Sequence, residues 1–369
     1  MPSEIEVYRK KIRKNCLSLY GNGIKKTHET LHKIAFWCEK NNVDFENYGS
    51  GDLIEEFERK IADLLGFPSA RFMPSGTLAQ LIALRIWSDR SGCKHFAMHP
   101  TSHIEIHEER AYSHLHSLRA SLIGPQKSPL LAEHFERVKE KISTLLVELP
   151  IREAGGQLPS WDELEELKEK VRDKGVRLHL DGARLWETKS FYNKEYSEIC
   201  SGFDSVYVSF YKGIGALPGA MLLGTEEFIE EAKLWQRRSG GTLQTIGTHV
   251  ASAAMQFDES LRRLPIYYER TKKLISTIKE FSELKPLPKK PQTNLIHIYL
   301  PFSAKAADAA RDIVAEKYSI WMFGKATPAE TLDASYFEIY VGESWTTISD
   351  EKTHQIFKCL LEAGNKSTA

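Results

Sequence analysis

The chain reads as an α/β protein in which a mostly parallel central sheet, flanked by helices, is followed by a smaller α+β part. Three observations predict this. Short apolar runs alternate with longer amphipathic stretches for most of the length, as βα units require. A proline-rich, charged segment, residues 285–292 (KPLPKKPQ), then sets off the C-terminal part. The 369 residues suffice for two lobes and a cleft, at roughly 100–200 residues per domain.

The elements follow in order. Arg9, Lys10, Lys11, Arg13 and Lys14 come after Glu4 and Glu6, which reads as a helix with a solvated face, and residues 1–47 read as a helical arm. Residues 54–65 (IEEFERKIADLL) repeat apolar positions at helical spacing and stop at Gly66. Residues 161–172 (WDELEELKEKVR) do the same after Pro159 and Ser160, and Gly175 closes them. Strands are expected at 70–73, 95–98, 144–148, 176–181, 205–209 and 220–223, most of them bounded by turn residues. A long helical stretch over 246–281 is expected to break near Pro265. Beyond the 285–292 connector, strands are expected at 294–300, 320–323 and 336–341. The division expected is a large domain over 48–256 and a linker helix with a small domain over 257–369. No internal repeat is present, so solenoid architectures drop out.

Composition narrows the function classes. Lys+Arg 50 balances Asp+Glu 50, which leaves no global field to draw nucleic acid or an anionic bilayer. The five cysteines, Cys16, Cys38, Cys93, Cys200 and Cys359, are scattered and form no Cys-x-x-Cys pair, the usage of reduced thiols in a cytoplasmic protein. No apolar run has the length of a membrane span.

Four segments could carry chemistry. In 178–186 (LHLDGARLW) an apolar strand ends in Asp181, with Gly182 and Arg184 following. An acid at the carboxyl end of a strand in an open α/β sheet faces the ligand crevice, although Asp is equally a favoured helix cap. In 205–215 (SVYVSFYKGIG) a β-branched strand delivers Ser209 and then Lys212. Burial there lowers the amine pKa and makes it nucleophilic, as a Schiff-base lysine requires; an exposed loop lysine is the plainer reading. Gly213, Gly215 and Gly219 have near-dinucleotide spacing, but Pro218 and an apolar run, not a helix, come next. In 73–80 (MPSGTLAQ) Ser75, Gly76 and Thr77 open a helix over 78–87, where backbone N–H groups and hydroxyls suit a phosphate. His99, His103 and His107 recur every fourth residue. Pro100 and Thr101 interrupt the helix that would stack them as metal ligands, so no metal is expected.

Taken in order, a phosphate turn, a histidine, a strand-end aspartate and a lysine resemble the fold type I pyridoxal-phosphate enzymes, most closely the L-threonine aldolase group of the β-eliminating lyases. Residues 48–54 (YGSGDLI), 66–80, 103–108 (HIEIHE), 148–159 (ELPIREAGGQLP), 178–186 and 208–215 carry the likeness. The resemblance implies pyridoxal 5'-phosphate as cofactor, Lys212 as its Schiff-base lysine, Asp181 on the pyridine nitrogen and His103 stacked on the ring. It further implies Ser75, Gly76, Thr77 and Ser209 around the phosphate, and Arg184 and Ser18 at the substrate. The implied partner is a second copy, in a homodimer or homotetramer, with Tyr48 and the 239–244 loop reaching across. The reaction implied is cleavage of a β-hydroxy amino acid to glycine and an aldehyde; another β-elimination or an aminotransfer is the alternative. Departures from the family fall in four places. Its Arg-Ser-Asp-Thr becomes Leu17-Ser18-Leu19-Tyr20, the histidine of its Glu-Asn-Thr-His stretch becomes Ile151, an arginine in its glycine-rich loop becomes Leu243, and a late carboxylate-binding arginine becomes Glu338.

Overall fold

The computed structural model describes residues 4–21, 26–44, 46–330 and 333–366. In chain order the strands are β1 (Leu17–Ser18), β2 (Ser69–Met73), β3 (His95–Met98), β4 (Arg119–Leu122), β5 (Thr144–Glu148), β6 (Arg177–Gly182) and β7 (Ser205–Ser209). They continue with β8 (Ala220–Gly224), β9 (Lys285–Leu287), β10 (Leu295–Leu300), β11 (Ile320–Trp321), β12 (Thr327–Pro328) and β13 (Ser335–Tyr340). The chain divides into two units. One comprises residues 26–153 and 158–262, the other 1–25, 154–157 and 263–369.

The larger unit is built on a seven-stranded sheet of order β2-β8-β7-β6-β5-β3-β4. All neighbours pair in parallel except β8, which runs antiparallel to both β2 and β7. Strands β5, β6, β7 and β8 are buried throughout or nearly so, because helices cover both faces of such a sheet. The helix Gly76–Ser91 shows how the cover is made. Ile82, Ala83, Ile86 and Trp87 pack with Tyr207, Leu222 and Phe228, while Leu81 and Leu84 pack with Phe96, Met98, Tyr112 and Leu146. Apolar positions on so much of its circumference suit a helix buried between layers.

Local chemistry sets the helix ends. Ser160 and Glu163 form a reciprocal cap on Trp161–Asp173: the Glu163 N–H donates to Ser160 Oγ at 3.3 Å and the Ser160 N–H to Glu163 Oε2 at 2.7 Å. The Glu46 carboxylate accepts the N–H groups of Ile246 and Gly247 at 2.8 and 2.9 Å, at the start of Gly247–Ile278.

Three expectations need correction. Gly247–Ile278 runs unbroken through Pro265; the proline forfeits one N–H, while burial of Leu264, Tyr267, Thr271 and Leu274 around it holds the helix together. The segment expected as a plain connector contributes β9, whose residues pair with β10. The strand expected over 320–323 is ladder-paired only at Ile320–Trp321, against β1. The second unit otherwise holds the antiparallel sheet β12-β13-β10-β9, with the helices Ala304–Tyr318 and Asp350–Lys366. Among the described residues no helix is long and apolar enough to cross a membrane.

Candidate active site

Three neighbouring parallel strands bring the chemistry together. Glu148 on β5 is the register partner of Asp181 on β6, and Asp181 is the partner of Tyr207 on β7. Side chains alternate along a strand, so partners in a parallel ladder project to the same face, and the three form one transverse row near the carboxyl ends. All three are buried, Glu148 at 5 %, Asp181 at 1 % and Tyr207 at 2 % exposure.

The helix Gly76–Ser91 lies over this face. Gln80 Nε2 donates to Asp181 Oδ2 at 2.8 Å, and the Ala183 N–H donates to Asp181 Oδ1 at 3.0 Å. One residue type is forced at the start of that helix: a Cβ on Gly76 would collide with the Tyr207 phenol, so only glycine lets the two approach. Ser75 caps the helix, its Oγ accepting the Leu78 N–H at 3.2 Å. The N–H groups of Gly76 and Thr77 precede that capped one and lie beside the hydroxyls of Ser75 and Thr77, which suits an anion.

Lys212 follows β7 by three residues and is half-buried, its ammonium 5.6 Å from the centre of the Tyr211 ring. Burial and the Arg184 guanidinium lower its pKa to about 8, against the opposing pull of Asp181 and Glu148. Burial and the Asp181 charge push Glu148 up to about 8. Glu148 Oε1 accepts the Arg152 N–H at 3.1 Å, while its Oε2 has no hydrogen-bond partner among the described residues. Burial also raises the Tyr207 phenol well above its ordinary value and raises that of Tyr211, with which it is hydrogen-bonded.

A histidine network lies near this row through Glu108, whose charge acts on Tyr207 and Tyr211. His103 opens the short helix His103–Ile106, with Nδ1 2.9 Å from Glu108 Oε1. Its ring lies 5.0 Å from that of His107, whose Nε2 is 2.9 Å from Glu153 Oε1.

A buried carboxylate at a strand end, a nearby lysine of lowered pKa and an anion-ready helix start coincide in one unit. The profile of the β-eliminating lyases matches residues 37–300. The chain belongs to the beta-eliminating lyase family. A Listeria monocytogenes protein provisionally named an L-allo-threonine aldolase is 38% identical, with a TM-score of 0.90, covering 96% of this chain and 98% of that one. An Exiguobacterium protein provisionally named an aromatic amino acid beta-eliminating lyase/threonine aldolase is 34% identical, with a TM-score of 0.90, 96% of this chain and 99% of that one being covered. Low-specificity L-threonine aldolase 1 of Arabidopsis thaliana is 26% identical over 266 residues, 69% of this chain and 74% of its own. The architecture is that of fold type I pyridoxal-phosphate enzymes, and the chain is a threonine-aldolase-like lyase.

The structure gathers most of the residues singled out from the sequence of this lyase into the larger unit: Ser75, Gly76, Thr77, His103, Asp181, Arg184, Ser209 and Lys212. Arg184 is half-buried and acts electrostatically on Lys212, Glu148 and Tyr211. The Ser209 hydroxyl donates to the Ala183 carbonyl at 2.7 Å, which ties β7 to the Asp181 turn. Ser18 belongs to the other unit, buried in β1 with no partner for its hydroxyl among the described residues. Glu338 lies in β13, opposite His297, whose Nε2 is 3.8 Å from it. His99 has partners of its own: its ring nitrogens contact Thr101 Oγ1 and the carbonyls of Pro125 and Ser128. Among the described residues no group of three His, Cys, Asp or Glu is placed to hold a metal.

Sequence reasoning missed Gln80, Glu148 and Tyr207. Glu148 carried the same signal as Asp181, an acid ending an apolar run (TLLVE). Gln80 and Tyr207 sit inside a helix and a strand, and only the register and the helix placement reveal them.

Proposed function

We propose that the protein binds pyridoxal phosphate on Lys212 and cleaves the Cα–Cβ bond of a β-hydroxy amino acid to glycine and an aldehyde. The observation that carries this is the buried Asp181, set by Gln80 and Ala183 beside a lysine whose pKa burial has lowered. Glu148 Oε2 and Gln80 Oε1, buried without a hydrogen-bond partner among the described residues, add polar atoms that fit a polar ring system. When bound, the cofactor would supply an electron sink for the bond that breaks at Cα.

The chain's own groups do the rest. The first-turn N–H groups of Gly76–Ser91, with Ser75 and Thr77, hold the phosphate, and Ser209 braces the strand beside them. Asp181 keeps a proton on the pyridine nitrogen, since an adjacent carboxylate favours the charged form. His103 stacks on the ring, oriented through Glu108. Arg184 would take the substrate carboxylate and so orient the substrate for cleavage of one bond at Cα. Ser18 is a further substrate contact in this reading, and His103 or a water receives the hydroxyl proton. Glu338 in place of the family's arginine favours as second reading a β-elimination or aminotransfer on a different amino acid.

An absorbance spectrum with borohydride reduction tests the assignment. Wild type should show a yellow band that reduces to a covalent adduct on Lys212, and Lys212→Ala should retain no adduct. A colourless protein that ignores added pyridoxal phosphate refutes the cofactor, and release of a keto acid or exchange of the amino group in place of glycine refutes the reaction. The same reading implies a homodimer or homotetramer, with the exposed Tyr48 and Leu243 at the contact; light scattering should give a multiple of 42.1 kDa.

A further inference from the structure

Two carboxyl groups share one face of the sheet at adjacent strand ends, and the structure treats them differently. Asp181 accepts two hydrogen bonds, from Gln80 Nε2 and the Ala183 N–H. Glu148 accepts one, from the Arg152 N–H, and its second oxygen is buried without a partner among the described residues. Donors favour the ionised form, and burial beside a like charge favours the neutral one. Of two such carboxyls, the better solvated carries the charge and the other carries a proton.

We propose that Glu148 is the acid–base partner of Lys212, a carboxyl that is protonated in the resting site and gives its proton to the oxygen displaced when the Lys212 amine condenses with an aldehyde. This rests on the cofactor reading above and gives a chemical role to Glu148, of which that reading used only the buried second oxygen. The step balances. The neutral Lys212 nitrogen forms a bond to the carbonyl carbon, whose oxygen takes up one amine proton. The Glu148 proton then moves to that oxygen, the C–O bond breaks, and water leaves. What remains is a positively charged C=N link opposite a Glu148 carboxylate, so two protons have left with the water, one from the amine and one from Glu148, and no electron has been gained or lost. The reverse sequence frees the amine.

The groups facing Glu148 support this arrangement. From β6 and the turn after it come Asp181 and Arg184, and from beyond β7 comes Lys212, all acting on its charge. Arg152, on its own segment, gives it a backbone N–H, and the Arg152 guanidinium is 3.6 Å from Glu153 Oε1. On the other flank β3 leads to His99, whose nitrogens are engaged by Thr101, Pro125 and Ser128, and the helix above presents the neutral Gln80. Glu148 and Lys212 are both brought to about 8, where an acid and a nucleophile can coexist at neutral pH.

The test follows colour development when pyridoxal phosphate is mixed with apoprotein, between about pH 6 and 10, without any lyase substrate. Wild type should give a bell-shaped rate profile, rising as Lys212 loses its proton and falling as Glu148 loses its own. Glu148→Gln should be slower by about 100-fold and keep only the rising limb, while Glu148→Asp restores the falling one. Infrared difference spectra of the apoprotein between neutral and alkaline pH provide a second readout, independent of the cofactor. Wild type should lose a carboxylic-acid C=O band that Glu148→Gln lacks, and this reads protonation in wild type even if a variant folds poorly. An unchanged bell in Glu148→Gln, or no such band in wild type, overturns the proposal. A wild-type apoprotein that takes up no pyridoxal phosphate at all overturns the cofactor reading instead, and the proposal with it.

Discussion

Replacing Gly76 by alanine should damage the larger unit through one contact. A Cβ built there stands 2.9 Å from Tyr207 Cε2 and nearer still to Cζ and Oη, whereas ordinary contact begins at 3.4 Å. The ring must therefore retreat by at least 3.4 − 2.9 = 0.5 Å at that atom. It has little room, since Tyr207 is 2 % exposed and packed within the cluster of Trp87, Leu222 and Phe228. Overpacking of this kind costs about 1–3 kcal/mol, against a gain of up to about 1 kcal/mol from replacing glycine in a helix. The expected net loss is about 1–2 kcal/mol, or roughly 2–8 °C in Tm. Thermal unfolding of Gly76→Ala measures it, and a Tyr207→Leu background supplies the control. With the phenol gone, the same alanine should become neutral or stabilising, a coupling of about 1–3 kcal/mol. Equal penalties in both backgrounds would refute the idea that Gly76 exists to admit Tyr207.

Three further outcomes are expected. Gln80→Met removes a donor from a buried carboxylate and should cost about 1–3 kcal/mol in urea unfolding; a cost within experimental error would mean that Asp181 does not depend on Gln80. Burial lowers His179 to about 4, so below its unfolded value of about 6.5 the unfolded chain binds the proton that the native site refuses. Stability is then fully present above about pH 6.5 and is lost as pH falls from there to about 4, by about 3 kcal/mol in all; urea titrations across that range should show this slope in wild type and not in His179→Asn. In the smaller unit Arg270 donates to the carbonyls of Trp345 and Ile348 and to Thr353 Oγ1, each at 2.9 Å, and also pairs with Asp350. Arg270→Met strands those buried acceptors and should cost about 1–3 kcal/mol in urea or thermal unfolding, and a loss under about 1 kcal/mol would show that solvent reaches them.

What the sequence disclosed and what it hid have physical reasons. Buried parallel strands carry near-continuous apolar runs, so β5, β6 and β7 stand out from their flanking turns. The edge strand β4 is largely exposed and reads RASL, which offers no such run. Pro265 looked like a helix end because local backbone rules say so, and long-range burial overruled them. Asp181 was legible because it stands near the end of an apolar strand as a residue unlike it, and Lys212 because it follows such a strand by three residues. Glu148 ended its strand in the same way, yet the fact that matters about it is its neighbour, and pairing between residues 148 and 181 is written in no local pattern. Gln80 was hidden for the same reason, being the one polar residue within the apolar stretch 78–84 (LAQLIAL).

The transverse row of Glu148, Asp181 and Tyr207 also bears on how such a site can be inherited. Its members are joined by ladder pairing and not by chain spacing, so the helices and loops between them can lengthen or shrink without moving any of the three. A slip of one residue in either strand pair would turn one member to the opposite face of the sheet. Insertions between strands are therefore cheap and shifts within them prohibitive. A search for distant versions of this site should compare strand ends and disregard the distances between them in the chain.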